Sequence, residues 1–234
     1  MDYFYSPPKN ISAKEVIIDG DEYAHLTHVM RKTTNDTIRV VNGLGTAYDV
    51  QLTDIKKKTA HGAILQIYRQ HNEPATDLTI AVGILKNPSK FDFLVEKATE
   101  LGVKQIIPLT TKRTIPSHAK IDRWQKLALA AMKQCGRSYL PKINELTDLN
   151  TLLKEKENYT TKLIAHENPI VKTKSIDLVV PPAKSGIVLI GPEGGFSDEE
   201  ISHAESMGYS ILYLGDRRLR TETAAIIATA KLIG

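Results

Sequence analysis

A single cysteine, Cys135, stands in a chain of 234 residues. One thiol can neither close an intramolecular disulfide nor build a zinc cluster, so stability must come from a packed core, as suits a reducing compartment. Aromatic residues are scarce, at 6%, with one tryptophan. Glycine and proline, 14 and 11 residues, are neither abundant nor periodic, which excludes collagen-like and low-complexity chains. No run of about 18 uncharged apolar residues occurs, so no segment reads as a membrane span. The opening MDYFYSPPKN carries an acid at Asp2 and no apolar stretch, and does not read as a secretion signal. What is present is an ordinary 41% of hydrophobic residues, enough for one large domain or two smaller ones. The expectation is a soluble cytoplasmic protein.

Formal net charge is only +4, but it is unevenly spread. Residues 1–75 hold 9 basic and 9 acidic side chains, and residues 143–234 hold 10 and 13. Between them, residues 86–142 hold 12 Lys and Arg against 4 Asp and Glu. Clustered cations set the local field, so a polyanion is drawn to that middle segment first. A solvated helical face is the competing reading of the same charges.

The first seventy residues read as short strands, at 15–19, 36–42, 46–52 and 62–68, with one helical insert from Asp21 to about Lys32. Asn42-Gly43-Leu44-Gly45 is a hairpin signal. Short strands must hide their edges, which predicts a small β-barrel, and HNEPAT (71–76) reads as a linker. Beyond it, strands at 78–85, 104–110, 162–166, 186–191 and 211–215 alternate with helical patterns. Phe91, Leu94, Val95, Ala98 and Leu101 form one helical stripe stopped by Gly102; Trp124, Leu127, Ala128, Ala131, Met132 and Cys135 form another. Ser197 and Glu200 have capping-box spacing, and TETAAIIATAKLI closes the chain as an apolar helix. The fold class is α/β, a mostly parallel sheet flanked by helices behind a β-rich domain, with boundaries at 1–72 and 77–234.

In such sheets, ligands bind beyond the carboxyl ends of the strands. Two strand ends carry glycine: Gly191-Pro192-Glu193-Gly194-Gly195, and Leu214-Gly215 followed by Asp216-Arg217-Arg218-Leu219-Arg220-Thr221-Glu222-Thr223-Ala224. Neither matches a P-loop or a Rossmann fingerprint. A Gly-Gly turn alone is an ordinary tight turn, but two such ends, one loaded with Arg and Glu, suggest a shared site. His25 and His28 lack companions at ligand spacing and read as scaffold, so no metal is expected.

LIGPEGGFSDEE with LGDRRLRTETAA resembles the signature of the ribosomal RNA small subunit methyltransferase E family, uridine N3-methyltransferases of the SPOUT superfamily. The resemblance extends through HLTHVMR (25–31), Lys86, EKATELGVKQIIP (96–108), Arg113 and RWQKLALAAMKQCGRSYLP (123–141), covering nearly the whole chain in order. Met30, Asn35, Asn87 and Arg218 depart from it, standing where that family usually has Leu, Gly, Gly and Ile. The resemblance implies a PUA-like RNA-binding β-barrel and a trefoil-knotted SPOUT domain. It also implies a homodimer, S-adenosylmethionine as cofactor with S-adenosylhomocysteine as product, and uridine 1498 of 16S rRNA in the small ribosomal subunit as target. Transferred to this chain, it implies cofactor contacts from Leu189, Ile190, Gly191, Glu193, Gly194, Gly195, Leu214, Gly215, Leu219, Arg220, Thr221, Thr223 and Ala224. Arg220 and Glu222 are the catalytic candidates: Arg220 to stabilise O2 or O4 of the uridinate or to hold a phosphate, Glu222 as a base or as a partner of Arg220 facing the cofactor, with a plain helix-start acid as its competing reading. Arg31, Lys86, Arg113, Arg123 and Arg137 are the expected RNA contacts. Side chains at Gly195 and Gly215 are expected to collide with neighbouring backbone. An RNA-binding module without activity leaves the two glycine loops unused, and an enzyme on a small acidic metabolite leaves the barrel unused.

Overall fold

The computed structural model describes residues 2–155, 159–167, 174–175 and 185–233. The chain divides into two compact units, Met1–Glu73 with Leu129–Leu140, and Pro74–Ala128 with Pro141–Gly234.

In the first unit, strands β1 (Tyr3–Tyr5), β2 (Glu15–Asp19), β3 (Thr37–Val41), β4 (Thr46–Ile55) and β5 (Thr59–Arg69) form one sheet in the order β1-β3-β4-β5-β2. All pairings but β1 with β3 are antiparallel. Alternation puts Phe4, Val16, Ile18, Ile38, Val40, Val50 and Leu52 on one face, all essentially without solvent contact. The sheet curls enough for Ser6, just past β1, to donate through its hydroxyl to the Ile17 carbonyl of β2, 2.7 Å away, so the two edges meet. Helix α1 (Gly20–Ala24) runs into a π-helical turn over His25–Val29 that lays Leu26 into this core. The Asn42 side chain closes the β3–β4 turn by accepting from the N–H groups of Leu44 and Thr46. At two departures from the family pattern the residue present does the local work. Asn35 holds a left-handed φ of 75°, which Asn tolerates better than other side chains. In the second unit, Asn87 caps a helix by accepting from the Ser89 N–H.

That unit runs β6 (Asp77–Gly83), α2 (Pro88–Leu101), β7 (Gln105–Thr110), α3 (Ile121–Gln134), β8 (Lys142–Ile143), β9 (Thr147–Asp148), α4 (Leu149–Lys154), β10 (Thr161–Ala165), β11 (Lys174–Ser175), β12 (Ser185–Ile190), α5 (Asp198–Ser206), β13 (Ser210–Tyr213) and α6 (Thr221–Ile233); α3 ends within the first unit. The strands pair in the order β11-β13-β10-β12-β6-β7-β8, with β9 also on β7, and every pairing is parallel. Residues 78–83 of β6 and 186–190 of β12 are buried without alternation, as strands covered on both faces must be. The capping box is complete: Ser197 Oγ accepts from the Glu200 N–H while the Glu200 carboxylate accepts from the Ser197 N–H. β1, β8, β9, β11 and α4 were not expected; four of the five are two or three residues long, too short for any period to show.

Candidate active site

Parallel strands deliver all their carboxyl ends to one edge of the sheet, and β13, β10 and β12 are neighbours there. The segments that follow them, 214–220, 165–167 and 191–196, line one cavity of about 660 Å³ together with the start of α6. Three sets of contacts hold the 191–196 segment. The Gly195 N–H closes a turn on the Pro192 carbonyl at 2.8 Å. The Glu193 carboxylate accepts from the Lys86 N–H at 3.0 Å. The Arg113 guanidinium donates to the carbonyls of Gly194 and Phe196 at 2.8 and 3.1 Å. Thr221 Oγ1 then donates to the Gly191 carbonyl at 2.9 Å, which fastens the start of α6 to the end of β12. At the base of the other loop the Tyr213 hydroxyl donates to Asp216, an interaction that pushes the phenol above its ordinary pKa.

Of the residues expected at the cofactor, Ile190, Gly191, Glu193, Gly194, Gly195, Leu214, Gly215, Leu219, Arg220, Thr221 and Ala224 line this cavity, as does Glu222. Leu189 does not: strand alternation turns it into the sheet core, without solvent contact. Thr223 is exposed and also lies off the lining. The steric expectation for two glycines is corrected as well. A Cβ built at Gly195 or Gly215 meets nothing within 4 Å, so these positions face open space and not neighbouring backbone. Close approach falls instead on Gly191, whose Cβ would come within 2.9 Å of Gly195 backbone, and on Gly83, within 2.5 Å of Pro192 N.

Arg220 is exposed at the cavity, and its side chain forms no ion pair with the described residues. Glu222 is paired with Lys90, not with Arg220: Lys90 Nζ lies 3.2 Å from Glu222 Oε1, and the carboxylate side chain is only 12% exposed. Glu222 Oε2 is buried with no hydrogen-bond partner. Sequence reasoning missed Lys90, His166 and Glu167 on the lining, whereas Arg217 belongs to the Arg-rich strand end singled out above. A strand's carboxyl end is the signal available for His166 and Glu167; nothing local marks Lys90, which lies off the apolar stripe of its helix.

The expected RNA contacts separate in the structure. Arg31 and Lys86 are exposed, and Arg123 is exposed while paired with Asp92 at 2.8 Å, which holds its guanidinium charged. Arg113 belongs to the cavity wall. Arg137 is corrected: it is 3% exposed and donates to the Glu73 side chain, itself without solvent contact, at 2.7 Å. The other Glu73 oxygen accepts from the N–H groups of Ser138 and Tyr139. A buried charge persists only with such partners, and this pair ties residues 129–140 into the first unit. Among the described residues no grouping of three or more His, Cys, Asp or Glu side chains is placed to hold a metal ion, and no helix is long and apolar enough to cross a membrane.

The architecture is a curled β-sheet unit and a parallel-sheet unit whose glycine loops line a cavity of the size that takes a small ligand. Residues 71–233 match the family described as RNA methyltransferase domain, and residues 18–65 match the RNA methyltransferase PUA domain. The chain is 36% identical over 175 residues to a ribosomal RNA small subunit methyltransferase E of Mesomycoplasma hyopneumoniae, spanning 73% of this chain and 75% of that one. It is 31% identical to one from Buchnera aphidicola, spanning 91% and 85%. The crystal structure of the Neisseria gonorrhoeae methyltransferase E bound to S-adenosyl methionine superposes with a TM-score of 0.87 at 31% identity, covering 98% and 95% of the two chains. The chain belongs to the ribosomal RNA small subunit methyltransferase E family. Its fold is accordingly of the SPOUT type, with a PUA-type domain in front.

Proposed function

We propose that this protein methylates N3 of a uridine, the family's uridine 1498, in 16S rRNA of the small ribosomal subunit, with S-adenosylmethionine bound in the 660 Å³ cavity. The observation that carries this reading is the convergence of the 191–196 and 214–220 loops on one cavity, with Gly195 and Gly215 facing open space and a buried, unpartnered carboxylate oxygen in the wall. Bound there, S-adenosylmethionine supplies a methyl group on a cationic sulfur, which keeps the electron pair when the methyl leaves. The side chains the chain brings are suited to the acceptor. Uracil N3 must lose its proton, and negative charge then spreads to the flanking oxygens; the unpaired Arg220 guanidinium stabilises that charge as it develops. Holding the two reactants in line supplies much of the remaining acceleration.

The residues that meet RNA in this reading are Arg31, Lys86, Arg113 and Arg123, with the 1–72 domain binding RNA and the 77–234 domain transferring the methyl group. The working unit in this reading is a cytoplasmic homodimer, with the half-buried Ile226, Ile227 and Ile233 of α6 available to a partner; sedimentation at micromolar concentration tests it. The main experiment incubates the protein with S-adenosylmethionine and unmodified small subunits, or naked 16S rRNA, and locates the product by mass spectrometry. N3-methyluridine at one site is the expected result. Cofactor binding without any RNA methylation refutes the reading and favours an RNA-binding module.

A further inference from the structure

Lys90 has no place in the reading so far, and its geometry assigns it one. Its position is set by sequence: Asn87 caps α2, Pro88 supplies the fixed φ of a first helical residue, and the Lys90 N–H donates to the Asn87 carbonyl at 3.1 Å. The ammonium is thereby carried to the cavity wall, where it meets Glu222 Oε1 of α6 at 3.2 Å. Both side chains line the cavity, and only one carboxylate oxygen is used. The second oxygen is shielded from solvent and unpartnered, a state that buried polar atoms leave as soon as a donor is offered. The terminal torsion of a glutamate is soft, so a small turn of the carboxylate about its own axis presents that oxygen to a ligand.

We propose that Lys90 is a positioning residue that holds Glu222 by Oε1 so that Oε2 serves as the acceptor for an N–H of the bound ligand. The assignment rests on the methyltransferase reading. Two N–H sources share this chemistry, an amine of the cofactor and the imide N–H of the pyrimidine. A cationic side chain at this position can hold Oε1, whereas an apolar side chain would leave the carboxylate loose and unsatisfied on both oxygens.

The test compares wild type, Glu222→Gln, Lys90→Met and Lys90→Arg by three measurements: calorimetric binding of S-adenosylmethionine, single-turnover methylation of unmodified small subunits at saturating cofactor, and thermal unfolding. If the cofactor supplies the N–H, Glu222→Gln and Lys90→Met weaken cofactor binding by about tenfold or more, the scale of one lost charged hydrogen bond, and Lys90→Arg restores most of it. If the pyrimidine supplies it, cofactor affinity stays within about twofold while the single-turnover rate falls about tenfold or more, again with rescue by arginine. Either result supports the assignment. Folded variants that keep affinity and rate within about twofold of wild type overturn it. So does a loss in Lys90→Met that Lys90→Arg shares in full, or one that tracks only a lowered unfolding temperature, since bulk packing then explains it. A wild-type protein that binds no S-adenosylmethionine overturns the methyltransferase reading and this assignment with it. An active wild type beside indifferent variants overturns this assignment alone.

Discussion

Gly83 lies outside the cavity lining, yet replacing it should disable the cavity. It is the last residue of β6, fully buried and paired with Leu109 of β7. An alanine Cβ there would sit 2.5 Å from Pro192 N, 2.6 Å from its Cδ and 2.9 Å from its Cα. Ordinary carbon contacts lie near 3.5 Å, so Pro192 must retreat by about 1 Å, and a proline ring has no rotamer by which to yield. The contacts that fix the loop span 2.8 to 3.1 Å: Gly195 N–H to Pro192, Lys86 N–H to Glu193, Arg113 to Gly194 and Phe196, and Thr221 to Gly191. A shift of that size carries several of them beyond hydrogen-bonding range. Overpacking of this kind costs about 1–3 kcal/mol, which lowers the unfolding temperature by roughly 3–10 °C in a chain of this length. Gly83→Ala should therefore remain folded at 20 °C and bind S-adenosylmethionine about tenfold more weakly or worse in calorimetry, since one displaced set of polar contacts is of that order. Gly208→Ala is the control for backbone strain alone: its Cβ meets nothing within 4 Å and it does not line the cavity. A folded Gly83→Ala protein with wild-type cofactor affinity would refute the argument that β6 sets the position of the loop.

Arg220→Ala should keep cofactor affinity, because a guanidinium beside a cationic sulfur gains nothing before reaction, and lose about 100-fold in single-turnover methylation as one electrostatic stabiliser is removed; a wild-type rate dismisses that role. Glu73→Gln should cost about 3–5 kcal/mol by removing the carboxylate charge opposite the buried Arg137 guanidinium, seen as a shifted denaturant midpoint, whereas an exposed pair would barely register. With Arg31, Lys86, Arg113 and Arg123 on phosphates, the logarithm of RNA affinity should fall with the logarithm of salt at a slope of about −3, and Arg31→Gln should reduce that slope by about 1. A flat dependence excludes the phosphate contacts.

What the sequence discloses and what it withholds divide along a physical line. Uninterrupted apolar runs such as 78–85 and 186–191 announce strands covered on both faces, and the glycine-rich ends that follow them mark the ligand edge before any coordinates are seen. Composition and spacing are local quantities, and these features are local. Pairing between distant residues is not. The count of 12 basic against 4 acidic residues in 86–142 includes Arg137, whose partner Glu73 lies outside that window, so a charge tally there overstates the field available to RNA. Glu222 likewise looks free to pair with Arg220 two residues earlier, but Arg220 stands just before α6, and the cation that reaches Glu222 is Lys90, on another helix. The glycines show the same limit: Gly195 and Gly215 stand out in motifs yet face open space, while Gly83, the unremarkable end of a strand, bears the tightest approach to Pro192. Nor does any periodicity report how the chain is threaded, so a knot is legible only through the family resemblance. Side-chain chemistry at the cavity is therefore decided by which helix starts the parallel sheet gathers at one edge, and that gathering makes Lys90 and Glu222, 132 positions apart in the chain, a single unit of function.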